Sequence, residues 1–277
     1  MQLFYFKNHT FGFKQKFFAM NYNLSYIPAR TPKPREYGLT MVMDKGLSLS
    51  EAQSLIESCG QYVDFVKLGF GTSLVTNKLK EKVKLYKNAG LRPYLGGTLF
   101  EIFIIRGMFD DFVRFVDEFE LDLVEVSDGS MELDNHVKCE YIGKLAKRYT
   151  VISEVGSKRA DVHIPDDEWI NMMKNELAAG SWKVIAEARE SGNIGIYNQD
   201  HSANTKLIDD IVRHVKVENV IWEAPLKSQQ AWFIKMLGAN VNLGNIAPNE
   251  VIALETLRLG LRGDTFFQFL PDELKQK

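Results

Sequence analysis

The chain has 277 residues, 45% of them hydrophobic and 25% charged, with a formal net charge of −2 and an isoelectric point near 6.3. Such a composition fits a soluble globular protein with one sizeable core and excludes disordered and fibrous classes. It offers no basic surface to a nucleic-acid backbone or an anionic membrane, and no apolar run reaches the roughly 18–20 residues of a membrane span.

The N-terminal MQLFYFKNHTFGFKQKFFAM is aromatic and basic, but lysines interrupt it before a signal-peptide core forms. It reads as a tail, residues 1–32, ahead of a single domain over 33–277. Met20 is an alternative translation start, with residues 1–19 then an extension. Beyond TPKPREYG, short apolar runs alternate with longer amphipathic ones. GLTMVMDKG (38–46) reads as the first strand and SLSEAQSLIESCG (48–60) as the first helix. DFVKLGFG (64–71) precedes the helical TNKLKEKVKLYKNAG (76–90), LRPYLGGT (91–98) precedes MFDDFVRFVDEFE (108–120), and LDLVEVSDGS (121–130) precedes NHVKCEYIGKLAKRY (135–149). TVISEVGSK (150–158) leads to PDDEWINMMKNELAAG (165–180) and WKVIAEARESG (182–192) to TKLIDDIVRHVK (205–216). ENVIWEAP (218–225) leads to KSQQAWFIKMLG (227–238) and ANVNLGNI (239–246) to APNEVIALETLRLGL (247–261).

The helical candidates repeat apolar residues at three and four, and NAG, AAG and MLGAN place glycine just past the last periodic residue. Eight strand-then-helix units predict an α/β fold, a (β/α)8 TIM barrel, and about 240 residues from the first strand onward is its usual size. A doubly wound open sheet also alternates, but the count of eight and the lack of GxGxxG after the first strand favour the barrel. Cys59 and Cys139 show neither CxxC nor Cys/His spacing, so reduced thiols and a cytoplasmic setting are expected.

Four strands deliver a glutamate near their C-terminal ends: Glu125, Glu154, Glu187 and Glu223. A carboxylate left unpaired in an apolar interior costs several kcal/mol or more, so each requires a cation, a metal or water. Strand alternation puts Glu125 with Ser127, Glu154 with Lys158 and Glu187 with Arg189 on one face, while the second strand adds Lys67 and the first ends in Asp44 and Lys45. If that face points into the barrel, both signs of charge meet at the C-terminal mouth, where barrel enzymes hold their sites. Structural ion pairs are the alternative for any one glutamate. Four at equivalent positions point to a site, and converging carboxylates suit a hard divalent cation such as Mg2+ that bridges to a small anionic substrate.

The eighth strand carries Asn242, Gly244 and Asn245 ahead of a helix start, a place where barrels often bind phosphate through free backbone N–H groups. Lys227, Ser228 and Gln229 of the preceding loop complete the candidate cradle. A plain helix start with Pro248 in its first turn fits the same residues. Aromatic-rich helices such as FDDFVRFVDEF make a homo-oligomer an expectation to test by light scattering.

The strings KPREYGLTMVMDKG, VDFVKLGFGTS, GGTLFE, VEVSDGS, SEVGSK, EARESGNIGIY, IWEAPLKSQQAWFI and VNLGNIAPNEVIALETLRLGLRGDT resemble the phosphosulfolactate synthase family, which includes bacterial members and heat-stress-associated plant relatives. The resemblance runs from about residue 33 to 265. It implies a (β/α)8 enzyme, a magnesium-dependent carbon–sulfur lyase that adds sulfite to phosphoenolpyruvate to give (2R)-3-phosphosulfolactate. That step opens coenzyme M biosynthesis in methanogens and is shared with bacterial sulfolactate formation. Sulfite attack on the methylene carbon builds an enolate-like dianion, which a metal and cationic side chains stabilise. Lys158, the lysine of SEVGSK, takes the family's proton-donating position, with a pKa expected to be lowered by burial among cations. Lys67, Arg189 and Lys45 are expected to hold the anionic substrate. Two other readings stand beside this one: a non-catalytic, heat-stress-associated protein acting through a protein partner, and an enzyme for a different phosphorylated three-carbon acid.

Overall fold

The computed structural model describes residues 20–159 and 161–275, so the expectation about residues 1–19 lies outside the described residues. Among the described residues eight strands form, seven inside their expected segments and β6 beginning one residue early: β1 (Thr40–Asp44), β2 (Phe65–Leu68), β3 (Arg92–Leu95), β4 (Leu123–Val126), β5 (Thr150–Val155), β6 (Ser181–Ala186), β7 (Val220–Glu223) and β8 (Leu243–Ile246). They are parallel and ordered β3-β2-β1-β8-β7-β6-β5-β4, so the first strand pairs with the last, as in a barrel and not an open doubly wound sheet. Only β3 and β4 lie side by side without a ladder. Pro93 lacks an N–H to donate there, and β3 turns at once into a helix.

The eight expected helices are present as α1 (Leu49–Cys59), α2 (Leu79–Asn88), α4 (Phe109–Glu118), α5 (Asn135–Leu145), α6 (Asp166–Ala179), α7 (Thr205–His214), α8 (Lys227–Leu237) and α9 (Val251–Arg258). One more helix, α3 (Gly97–Ile104), forms where GGT reads as the end of a strand. Ser48 and Glu51 close the N-terminus of α1 as a capping box, and Gly90 (φ +72°) and Gly180 (φ +122°) end α2 and α6 in conformations that L residues rarely adopt.

Alternation divides each strand cleanly. Met41, Phe65, Tyr94, Leu123, Ile152, Ile185 and Ile221 form an apolar layer inside the barrel. Two residues further along, the same face presents Lys67, Glu125, Glu154, Glu187 and Glu223. Asp44 has the opposite parity and leaves the barrel to meet Lys82 (3.0 Å) and Tyr86 (2.9 Å) on α2, so it belongs to the helix–sheet layer and not to the mouth. At the N-terminal end, buried Arg258 of α9 donates to the carbonyls of Ala239 (2.7 Å), Val241 (2.6 Å) and Leu39 (3.1 Å), closing the β8–β1 seam. Packing of the lead-in segment begins at Arg30, which pairs with Glu255 at 2.9 Å, three residues before the expected start of the domain.

Lys183, at the start of β6, donates to the Glu218 carbonyl (2.8 Å) beside the Trp182 ring, and burial pushes its ammonium from 10.5 down to about 8. Its folded pKa lies below the ordinary one, so the native state binds fewer protons between about pH 8 and 10.5 and stability rises with pH there. Thermal melts should therefore show the wild type gaining on Lys183→Met between pH 7.5 and 9.5. A constant difference would show that the amine titrates normally.

Candidate active site

At the C-terminal ends of the strands a cavity of about 450 Å³ is lined by Met43, Lys67, Phe70, Thr98, Ser130, Glu154, Lys158, Arg159, Glu187, Ala188, Arg189, Glu190, Glu223 and Asn245. A larger one, about 950 Å³, opens at the opposite end. There Lys33, Arg35 and Arg92 are already engaged with the Gly60 carbonyl, Asp64 and Asp122, so size alone does not mark the site.

Lys67 lies deep in the barrel with its ammonium 3.0 Å from Glu125, 3.2 Å from Glu154 and 3.5 Å from Glu223. Burial alone would lower its pKa, but the three carboxylates outweigh burial and hold it well above the usual lysine value. Its three protons are matched by three anions. Glu125 also accepts from the Gly97 N–H at 2.5 Å, the first turn of α3, where a Cβ would fall 2.4 Å from the carboxylate. The fourth glutamate of the sequence reading is thus tied to a lysine and a helix end, and the ligand atoms that converge within 4.8 Å of one another are those of Glu154, Glu187 and Glu223.

These three are not equivalent. Glu154 is held by Lys67, Lys158 and the Ser127 hydroxyl (2.8 Å), and the two lysines overcome burial to keep its carboxyl well below the usual range. Glu223 accepts from the Ala188 N–H at 3.0 Å, and burial, reinforced by Glu154, pushes it up to about 7. Neither oxygen of Glu187 receives a hydrogen bond, although the residue is 1% exposed; burial and then Glu154 raise it well above the usual carboxylate value. A buried carboxylate with two bare oxygens beside two others is the donor set of a hard divalent cation. The residues present fit such an ion.

Lys158 follows β5 and touches Glu154, with Glu187 at 3.7 Å, Glu101 at 3.8 Å and Ser127 at 3.5 Å. The expected lowering of its pKa is reversed. Carboxylates outnumber the one nearby cation, Lys67, and Glu154 and Glu187 outweigh burial to raise it. Behind it, Lys138 of α5 spans Asp128 (2.8 Å), Glu176 (2.9 Å) and the Glu154 carbonyl (2.5 Å), fixing the β4 loop against β5.

Arg189 stands exposed at the mouth, its guanidinium without a hydrogen bond or ion pair to any of the described residues. Lys45 is spanned to Glu190 at the surface. The proposed cradle does not assemble: Lys227 pairs with Asp264 (3.0 Å) in solvent and Ser228 is exposed beside it. Gln229 is buried, donating to the Gly192 carbonyl (2.8 Å) and fastening the β6 loop. Asn242 accepts from the Gly38 (2.8 Å) and Leu39 (3.1 Å) N–H groups and donates to the Glu218 and Val220 carbonyls at the strand starts. That places it about 10 Å below Asn245 at the usual rise per residue. Gly244 faces inward against Met41, and only Asn245 lines the cavity.

Glu101 of α3 was missed altogether. It accepts from the Ser127 hydroxyl (2.6 Å) and the Ser130 N–H (2.9 Å), and its signal was the GGTLFE run, where two glycines open a helix that carries a glutamate one turn later.

The family described as (2R)-phospho-3-sulfolactate synthase (ComA) matches residues 28–264. A phosphosulfolactate synthase of Bacillus subtilis is 41% identical over 244 residues, 87% of this chain and 97% of that protein. The chain belongs to the phosphosulfolactate synthase family. A second family member, the phosphosulfolactate synthase of Methanocaldococcus jannaschii, is 42% identical across 83% of this chain and 94% of its own length. The Arabidopsis thaliana protein HEAT-STRESS-ASSOCIATED 32 is 24% identical over 83% of this chain and 88% of its own length. Among solved structures, a 3-keto-L-gulonate-6-phosphate decarboxylase from Vibrio cholerae superimposes with a TM-score of 0.53 at 12% identity, covering 85% of this chain and all of that one, which shows the barrel fold. The phosphosulfolactate synthase relatives are enzymes, the buried acidic cluster sits where the barrel would hold a metal, and among the described residues no helix is long and apolar enough to cross a membrane.

Proposed function

We propose that the protein joins sulfite to phosphoenolpyruvate, forming a carbon–sulfur bond at C3 and a carbon–hydrogen bond at C2, so that phosphate remains on the C2 oxygen. The observation that carries this reading is the bare, buried Glu187 between Glu154 and Glu223, within reach of the Lys158 ammonium. Glu154, Glu187 and Glu223 would hold a magnesium ion, which would supply positive charge against the negative charge that grows on the substrate carboxylate. Lys158 stays protonated at neutral pH, the form a proton donor must have before the reaction, and it delivers that proton to C2 from one side. Arg189, free of internal partners, holds the phosphate at the mouth. Glu101 and Ser127 keep Glu154 and the β4 loop in register beside Lys158.

The rival, a non-catalytic, heat-stress-associated role through a protein partner, is disfavoured by identities of 41% to a phosphosulfolactate synthase against 24% to the heat-stress-associated relative. Phosphorus NMR of purified protein with magnesium, phosphoenolpyruvate and sulfite should show a new phosphate ester that appears only when sulfite is present. No product at high protein concentration would overturn the proposal. Phosphoenolpyruvate binding without turnover would point instead to a different nucleophile for the same enolate chemistry.

A further inference from the structure

Six non-glycine residues among those described have positive φ, and two of them, Phe70 (+55°) and Asn245 (+58°), line the cavity. Asparagine is among the residues that tolerate that region, and the Asn245 amide donates across to the Ala188 carbonyl at 3.4 Å. Phenylalanine has no such compensation, so its backbone conformation is strained and must be imposed by its surroundings.

The surroundings that impose it are backbone groups. The Gly69 N–H donates to the Asp44 carbonyl (3.1 Å), the Thr72 N–H (3.0 Å) and hydroxyl (2.8 Å) both donate to the Gly69 carbonyl, and the Leu74 N–H donates to the Gly71 carbonyl (3.0 Å). The glycines on either side are required by space. A Cβ at Gly69 would fall 2.4 Å from Met43 Sδ, and one at Gly71 would fall 3.1 Å from Ile102 on top of a φ of +68°. Nothing in this turn needs a ring at position 70. Nor does the core, because Phe70 is 46% exposed.

The ring instead faces the cavity. Met43 and Phe70, at the ends of β1 and β2, give it an apolar side, while Glu154 and Lys158 at the end of β5 and Glu187 and Arg189 at the end of β6, across the barrel, give it a charged one. We propose that Phe70 is a specificity-determining residue, its ring packing against the carbon framework of a small anionic substrate whose charges are held by the opposite wall. The inference rests on phosphoenolpyruvate being the substrate and adds the group that reads its unsaturated carbons, the part that inorganic phosphate lacks.

Phe70→Asn removes the ring and suits the left-handed backbone, and Phe70→Leu keeps apolar bulk. Calorimetry on the magnesium-loaded proteins should show Phe70→Asn binding phosphoenolpyruvate about tenfold or more weakly, the scale of a lost apolar contact. Inorganic phosphate should bind within about twofold of wild type, with Phe70→Leu intermediate for phosphoenolpyruvate. The unfolding midpoint of Phe70→Asn should stay level or rise, because strain is released. Unchanged phosphoenolpyruvate affinity, an equal loss for both ligands, a lowered midpoint, or a change of oligomeric state by light scattering each overturns the inference. If the wild type binds inorganic phosphate but neither binds nor turns over phosphoenolpyruvate, the substrate assignment fails first and takes the inference with it, a pattern that the variants alone cannot produce.

Discussion

Lys158→Ala is expected to bind substrate and magnesium nearly normally and to lose kcat by about 10²–10⁴, the usual contribution of a positioned general acid, with no recovery on adding metal. The fold should tolerate the change, because the side chain is 23% exposed and Glu154 keeps its contacts with Lys67 and Ser127. Glu187→Gln should fail differently. Its carboxylate accepts no hydrogen bond and stands beside Glu154 with the Lys158 ammonium at 3.7 Å, so on the proposed reading losing its charge should weaken magnesium binding and be partly reversed by more metal. Glu154→Gln should show a mixed defect, since that carboxylate also anchors both lysines. Steady-state kinetics across a magnesium titration separates the three. Full activity of Lys158→Ala, or its rescue by magnesium, would remove Lys158 as proton donor.

Lys67→Met should be the most destabilising single change in the barrel interior. It leaves Glu125, Glu154 and Glu223 without the cation they share, and breaking a buried ion pair from one side costs roughly 3–5 kcal/mol. For a chain of this size that corresponds to a melting temperature lower by roughly 10 °C. The loss should also depend on pH. Without Lys67 the Glu125 and Glu223 carboxyls, already raised by burial, rise further above their unfolded values; Glu223 stands at about 7 with Lys67 in place. Between unfolded and folded pKa the native state binds more protons, so stability falls as pH rises, and the deficit should be larger at pH 8 than at pH 5. Equal deficits at both pH values, or a shift under about 2 °C, would mean that these carboxylates are stabilised by something other than Lys67. This outcome differs from the role first read for Lys67, that of a substrate-holding cation, because its protons are already taken by protein carboxylates.

Much of this was legible in the order of residues. Period-two and period-3.6 patterns reflect local geometry, so eight strands, eight helices and the glycine stops could be placed before any contact was known. The same parity rule put Glu154, Glu187, Glu223 and Lys67 on the inner face, because a strand alternates whatever lies around it. Parity does not give height along the barrel, and Asn242, Gly244 and Asn245 show the consequence. They stand within four consecutive positions at β8, yet one ties the strand starts, one packs inward on Met41 and one lines the cavity.

What only the tertiary structure decided was which charges are already spent on one another. Glu125 and Glu187 look alike in the sequence pattern, but the docking of α3 brings the Gly97 N–H to the Glu125 carboxylate, and no N–H or hydroxyl donates to the Glu187 carboxylate. Lys158 was expected among cations and stands among carboxylates, which reversed the direction of its pKa shift. Electrostatic energy depends on distances between residues dozens of positions apart and on how far water is excluded from between them, and neither is a property of any local stretch of sequence.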